Sequence, residues 1–381
     1  MKIEDAVIVG VGLHPFGKYP EKRLVELGSV AIHNALKDAE LEIRDIQMVY
    51  CGHVQQGMGA GLKVLQTAGF VNGLPIFNME MACASSAIAL KQACVAVASG
   101  EFDIVLAVGF EKMKRGMLDI NVEQRSYDKY QYFMGLTAQP IVLAWQMRRY
   151  MKEFGARKEQ FAQVTVKARK NGALHPCAHF KDPLTIEQVL QSRMISDPLT
   201  LYQCCPTSDG ASAVVVCNRK KAKQLGARSI TFAGYGAATP IYKGEIKGIH
   251  PDFDIEMTKK SSTEAYEMAG IGPEDVDVVQ VHDPFVSMEI EEIEGLGLCP
   301  RGEGARYTWE GKTAINGEIP VNTDGGALAF GHPIGATGLR QAIEQVVQLR
   351  GEAGSRQVAN AKVGLTYDQG IGGCISYILK K

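Results

Sequence analysis

The chain reads as an α/β protein built from two similar halves, and three observations lead there. Short, wholly apolar runs that end in glycine, such as Ala6-Val7-Ile8-Val9-Gly10-Val11-Gly12, read as buried strands. A strand covered on both faces needs no polar alternation. Between these runs lie stretches with apolar residues at three- and four-residue spacing, the mark of amphipathic helices. The order of elements then restarts: Ser229-Ile230-Thr231-Phe232-Ala233-Gly234-Tyr235-Gly236 echoes the first strand and its glycines. With 381 residues, the chain has room for two cores of about 100 to 120 residues and an insertion. Sequence identity between the halves is low, so the duplication rests on element order.

Taken in order, Gly10-Val11-Gly12 invites a dinucleotide-binding reading, but His14-Pro15-Phe16-Gly17 does not open a helix at the spacing that motif needs. A helix over residues 24–39 follows, with Leu24, Leu27, Val30, Ala31 and Leu36 on its apolar face. Met48 to Cys51 is a strand, and a helix over roughly 62–70 leads to a strand at Ile76 to Met81. That strand hands over to a helix from Ala84 to Ser99. Asp103 to Gly109 is the next buried strand.

From Glu111 to Asp197 the pattern changes to mixed aromatics, methionines and charges, among them Tyr127, Tyr130, Phe133, Met134, Trp145 and Met151. This reads as a lid inserted over the core, where substrate contacts tend to lie. Ala211 to Cys217 is a strand followed by a basic helix. The second half then repeats the grammar, with a helix over 259–269, a strand over 276–281, a helix over 334–349 and closing strands over 362–366 and 374–379. The division expected is 1–110 with 198–226 for the first half, 111–197 for the insertion and 227–381 for the second half.

The composition is ordinary, 46% hydrophobic and 22% charged, and a formal net charge of -1 gives nucleic acid or an anionic membrane nothing to grip. No apolar run approaches the ~20 residues of a membrane span. No leader is visible before the first strand, and Leu379-Lys380-Lys381 is not a peroxisomal tripeptide. Nine scattered cysteines without a C-x-x-C pair suggest neither a disulfide framework nor a zinc site. A reducing cytoplasm is the expected compartment. His175-Pro176-Cys177-Ala178-His179 has metal-like spacing but lacks a second ligand pair, so no metal is expected.

Four segments carry chemistry. Cys83 sits where a strand meets a helix, and helix N–H groups there can stabilise a thiolate or hold an oxyanion. His282-Asp283-Pro284-Phe285 lies at a strand end. The loop Gly331-His332-Pro333-Ile334-Gly335-Ala336-Thr337-Gly338 is so glycine-dense that its backbone must come close to something before entering a helix. Tyr367-Asp368-Gln369-Gly370 precedes a second glycine cluster.

Together, Ala82-Cys83-Ala84-Ser85-Ser86, Ser208-Asp209-Gly210-Ala211 and the Gly331 to Gly338 loop resemble the thiolase superfamily over nearly the whole length. His282-Asp283 is similar to the histidine variant of sterol-carrier-protein-type thiolases. The resemblance implies a duplicated five-layer αβαβα fold with an inserted loop domain, in agreement with the two halves. It implies that Cys83 attacks the carbonyl of a 3-oxoacyl-CoA while His332 takes the thiol proton. His282 and His332 would stabilise the enolate, and the backbone N–H of Cys83 with one near Gln369 or Gly370 would form a second oxyanion hole. Gly331, Phe285 and Met134 are the candidate contacts for the CoA ester. Coenzyme A is then a co-substrate, and no bound cofactor is implied.

A second acid/base in such enzymes is a cysteine, and here the sequence departs. Pro284 stands in one of its two usual places and Tyr367 in the other, while Cys374 lies too far along. Tyr367 or His282 is the expected substitute. The resemblance further implies a homodimer, with the strand before Cys83 as its seam, and a small OB-fold/zinc-ribbon (DUF35-type) partner subunit. A bulky or aromatic substrate such as 2-benzoylsuccinyl-CoA is favoured, with acetoacetyl-CoA as the alternative. Two rivals stand beside this: a thiolase-like retro-aldolase, which would carry tyrosines in place of the two histidines, and an inactive scaffold.

Overall fold

The structure is a computed structural model that describes residues 2–114, 138–240 and 253–381. The first half contains β1 (Ala6–Gly17), α1 (Leu24–Asp38), β2 (Met48–Gly52), α2 (Ala60–Thr67), β3 (Ile76–Met79), α3 (Ser85–Ala98) and β4 (Ile104–Lys112). An excursion then carries α4 (Gln139–Phe154), α5 (Lys158–Gly172), α6 (Ile186–Gln191) and a small hairpin, β5 (Met194–Ser196) with β6 (Leu199–Thr200). The chain returns through β7 (Asp209–Asn218) and α7 (Arg219–Gln224). The second half contains β8 (Ile230–Ala238), α8 (Phe253–Ala269), β9 (Val278–Gln280), α9 (Val286–Gly295), α10 (Gly304–Trp309), α11 (Gly326–Phe330), α12 (Thr337–Arg350), β10 (Val363–Gly370) and β11 (Gly373–Lys380).

The strands lie in the order β3-β2-β4-β7-β1-β8-β11-β10-β9. Read outward from the centre, each half repeats the other: β1 matches β8, β7 matches β11, β4 matches β10 and β2 matches β9. The counterpart of β3 is a single bridge, Val321 pairing parallel with Val279. The halves meet at a narrow seam, where β1 and β8 pair only at Val7↔Thr231 and Ile8↔Ile230.

The hydrophobic clusters set the layers. One cluster joins α3 and α12 to the inner faces of both half-sheets, through Leu90, Val97, Leu339 and Val346 with Ile8, Val105, Phe232 and Tyr377. The outer face of the first half-sheet packs on α1 and α2 through Leu27, Ile32 and Leu65. The outer face of the second packs on α8 and α9 through Met257, Ala265 and Ile293. Helix, sheet, helix, sheet, helix is therefore the succession, and α3 and α12 are its middle.

The glycines of β1 have a structural purpose. A Cβ on Gly12 would lie 2.3 Å from Ala31 O in α1, and one on Gly236 of β8 would lie 2.1 Å from Ser261 O in α8. In each half the missing side chain lets a helix cross the strand at backbone contact. The strand itself runs farther than its apolar run predicts, continuing to Gly17. Pro15 falls in the register shift between His14 and Gly17, where the absent N–H breaks no regular ladder bond.

Candidate active site

Cys83 stands in the turn between β3 and α3. Ala82 has a left-handed backbone, φ 45, a costly conformation for a residue with a Cβ. The turn is held by Ser85, whose hydroxyl accepts the Met81 N–H at 2.9 Å and donates to Ala82 O at 2.6 Å. Glu80 Oε1 accepts the Ala82 N–H at 2.7 Å. These bonds explain why the segment Ala82-Cys83-Ala84-Ser85 forms a sharp elbow rather than a longer strand. They also aim the sulfur at the second half of the molecule.

What meets it there is His332. Its Nε2 lies 3.2 Å from Cys83 Sγ, and its Nδ1 lies 2.8 Å from Thr337 Oγ1. The Thr337 hydroxyl donates to Pro333 O at 3.1 Å, so toward His332 it accepts. Nδ1 must then carry the ring hydrogen, which leaves Nε2 as a lone-pair base facing the thiol. The histidine backbone is fixed as well, its N–H donating to Ser208 Oγ at 3.3 Å. The glycines of this loop come close to the chain itself. A Cβ on Gly338 would lie 2.6 Å from Ala87 N of α3 and 2.5 Å from Asp368 Oδ2. Glu111 clamps the arrangement from below, accepting the N–H groups of Val54, Gln55 and Gly335 at 2.9, 3.0 and 3.1 Å.

His282 completes the cluster. Its ring centroid is 5.0 Å from that of His332, and one ligand-type atom from each of Cys83, His282 and His332 falls within 4.8 Å of the others. His282 Nδ1 is 3.0 Å from Asp368 Oδ1, a close contact without hydrogen-bond alignment. Beneath both histidines runs Arg340, buried and hydrogen-bonded to Gln280 Oε1 and Asp324. Burial, aided by the Arg340 charge, pushes His282 down to about 3. Burial, then His282 and Arg340, hold His332 well below the usual histidine range. Burial raises the Asp368 carboxyl well above its ordinary value.

These shifts run against the stabilisation of a thiolate that a helix N-terminus offers. Cys83 is half-buried, open enough for an acyl group to reach it. Burial and then the nearby Asp368 and Glu111 push its thiol up, and its own N–H opposes the rise only weakly. Burial thus biases both the thiol and the imidazole toward their neutral forms.

Tyr367 is not brought to the cluster, which corrects its expected acid/base place. Strand residues alternate faces, and β10 turns Tyr367 outward. Its hydroxyl accepts from Thr258 Oγ1 at 2.8 Å and donates to Gln369 Oε1 at 2.9 Å, among Met257, Cys374 and Ile378. Asp368, one residue on, faces the histidines instead. Gly370 lies against the nucleophile turn, where a Cβ would fall 1.9 Å from Met81 O. Its backbone can thus stand beside that of Cys83.

Gly331 connects α11 to His332, with Ser208 Oγ and the His179 side chain next to it. Phe285 precedes α9 and packs with the cluster of Met147, Val164 and Leu328. Met134 lies outside the described residues. The histidines of the His175 to His179 segment go separate ways: His175 Nδ1 accepts the Cys177 N–H at 3.0 Å, and His179 Nδ1 meets Ser208 Oγ at 2.9 Å.

Thr337, Asp368 and Arg340 escaped the sequence reading. Thr337 had a signal, since it stands inside the glycine loop at the start of α12. Asp368 was readable from the strand period once the outward face of β10 was known. Arg340 carries no local signal, because only the tertiary fold puts it here.

Comparison with known proteins bears on the family and the fold. The family pattern described as "Thiolase, N-terminal domain" matches residues 6–220, and "Thiolase C-terminal domain-like" matches residues 247–379. The chain is similar to an acetyl-CoA acetyltransferase of Methanothermobacter thermautotrophicus, 38% identical over 382 residues that cover 97% of each chain. It is similar to the benzoylsuccinyl-CoA thiolase subunit BbsB of Thauera aromatica, 37% identical over 378 residues that cover 98% of this chain and 97% of that one. In three dimensions it resembles the solved Ltp2-ChsH2(DUF35) aldolase, with a TM-score of 0.85 at 27% identity over 98% of this chain and 97% of that one.

Proposed function

The chain belongs to the thiolase family, and on that premise we propose that it cleaves or forms the carbon–carbon bond of a 3-oxoacyl-CoA through an acyl-Cys83 intermediate. As an acyltransferase of this family it acts on CoA thioesters. One observation carries the proposal: Cys83 Sγ lies 3.2 Å from His332 Nε2, and that nitrogen is the free base because Thr337 holds the other. In the cleavage direction Cys83 attacks the 3-oxo carbon while His332 takes its proton. The tetrahedral oxyanion is received by the N–H groups of Cys83 and the Gly370 segment, a contribution of about 3 kcal/mol per donor. Bond cleavage passes the electron pair into the thioester enolate, whose oxygen lies toward His282 and protonated His332. CoA thiol then collects the acyl group from Cys83.

The substrate we favour is bulky or aromatic, as in 2-benzoylsuccinyl-CoA, in line with the similarity to BbsB. Acetoacetyl-CoA is the alternative, in line with the similarity to an acetyl-CoA acetyltransferase. A small DUF35-type subunit is the proposed partner, because the aldolase that this fold resembles includes one and BbsB is itself a subunit. A homodimer is also proposed. Among the described residues, strand β3 is an outer strand of the sheet and exposes Phe77 at 51%, a surface that a second copy can cover.

The test is intact-mass analysis after addition of acetoacetyl-CoA or 2-benzoylsuccinyl-CoA. A mass gain equal to the acyl group, absent in Cys83→Ala, is expected. No adduct from either 3-oxo ester, together with cleavage of a 3-hydroxyacyl-CoA into a carbonyl compound and a shorter acyl-CoA without added CoA, would favour the second reading, a retro-aldolase, which the three-dimensional resemblance suggests. A thiolysis screen over aliphatic and aromatic 3-oxoacyl-CoAs, on the enzyme isolated with any co-purifying small subunit, then decides the substrate.

A further inference from the structure

The proposed reaction needs a proton donor for the α-carbon released by cleavage, and the cluster of Cys83, His282 and His332 does not supply an obvious one. Of the other acidic groups around Cys83, the two glutamates hold backbone N–H groups, Glu80 that of Ala82 and Glu111 three, and Asp368 is fully buried against His282. Tyr367 is turned to the far face of its strand. The segment Cys204 to Ser208 offers a further group. Cys204 pairs antiparallel with Phe285, and Thr207 pairs parallel with His332. The segment therefore runs between the strand end that carries His282 and the loop that carries His332.

The antiparallel pairing sets the register. With Cys204 opposite Phe285, Cys205 stands opposite Pro284, and the Cys205 N–H donates to Pro284 O at 2.8 Å. Opposed residues in such a pair project to the same face, with Cβ atoms about 5 Å apart. The Cys205 thiol thus takes the direction that a side chain at 284 would take, two residues from His282. It is half-buried, and its electrostatic neighbours include Cys83 and Asp283. Burial keeps this thiol protonated at rest, the state a donor requires.

We propose that Cys205 is the second acid/base of this enzyme, the group that gives and takes the proton at the α-carbon. The assignment rests on the thiolase reading above. In cleavage, the bond from the 3-oxo carbon to the α-carbon breaks as Cys83 becomes acylated. The electron pair goes to the α-carbon, which takes the proton of Cys205 and leaves a thiolate. The Cys205 thiolate regains its proton from protonated His332, and His332, neutral again, takes the proton of the incoming CoA thiol as its sulfur attacks the acyl group. Cys83 departs as a thiolate and recovers its own proton from His332. In condensation the same steps run backward.

Two measurements on Cys205→Ala and Cys205→Ser test this. The first is exchange of isotopically labelled CoA into acetyl-CoA and benzoyl-CoA, which needs only Cys83 and His332. The second is hydrogen–deuterium exchange at the α-carbon of acetyl-CoA and succinyl-CoA in heavy water. The expected result is α-carbon exchange and thiolysis lowered by about 10²- to 10⁴-fold, with CoA exchange altered by less than about threefold. Unchanged α-carbon exchange in both variants overturns the assignment and leaves the thiolase reading standing. Equal loss of both exchanges overturns it too, because Cys205 would then only support Cys83. If the unsubstituted enzyme shows no CoA exchange with either thioester, the thiolase reading itself fails, and this assignment with it.

Discussion

His332 Nδ1 and Thr337 Oγ1 lie 2.8 Å apart, and this contact decides which nitrogen of the histidine faces Cys83. Thr337→Val removes the acceptor while keeping the shape. Both tautomers then become available, and a buried N–H loses its partner. We expect kcat to fall on the order of 10²-fold and stability to drop by about 1–3 kcal/mol. Thr337→Ser should restore most of both. Steady-state thiolysis and urea unfolding on the two variants check the pair of expectations, and equal activity in Val and Ser variants would refute the tautomer argument.

A neutral resting state of Cys83 has its own signature. With its thiol pushed up by burial, Asp368 and Glu111, the thiolate fraction is small at neutral pH. Alkylation of Cys83 by iodoacetamide should rise about tenfold per pH unit up to pH 9, without levelling. Peptide mapping of the alkylated residue over pH 6–9 measures this. A plateau near pH 7 would mean that the thiol and His332 exist as an ion pair before substrate arrives.

Tyr367 should prove structural. Its hydroxyl bridges Thr258 and Gln369 on the outward face of β10. Tyr367→Phe is expected to keep thiolysis within about twofold while losing about 1 kcal/mol of stability, the worth of a buried hydrogen bond. A fall in kcat of a hundredfold at unchanged stability would return tyrosine to the chemistry.

Acid sensitivity follows from His175, whose ring packs on Phe330. Burial, then the Arg356 charge, lowers it to about 3 in the folded chain, against about 6.5 when unfolded. The unfolded chain therefore binds a proton there that the folded chain refuses. Its contribution to stability is full above pH 6.5 and is lost as pH falls from 6.5 toward 3, at about 1.4 kcal/mol per unit. His175→Gln should shrink the stability lost between pH 7 and pH 5 by about 2 kcal/mol, read from urea midpoints. An unchanged pH slope would show that His175 takes up its proton alike in the folded and unfolded chains.

Much of this molecule can be read from its residues, and the exceptions share a cause. The apolar runs located the strands of both halves, because a doubly covered strand has no other composition open to it. Cys83, His282 and His332 were found because each sits at the end of such an element, in a segment with a distinctive neighbour. What stayed hidden depends on contacts between distant segments. The outward face of β10 is set by α8, so Tyr367 and Asp368 could not be told apart. Burial biases the Cys83 thiol against the thiolate that a local helix N-terminus offers. The glycines at Gly10 and Gly12 looked like a ligand loop because close approach to a helix and close approach to a phosphate ask the same thing of a residue.

The seam between β1 and β8 is two residue pairs wide, and Cys83 and His332 lie on opposite sides of the duplication that it joins. The bond that readies the thiol is therefore also a tie between the halves. Either half folded alone holds a cysteine without its base or a base without its cysteine. The base and the nucleophile meet only where the two halves dock.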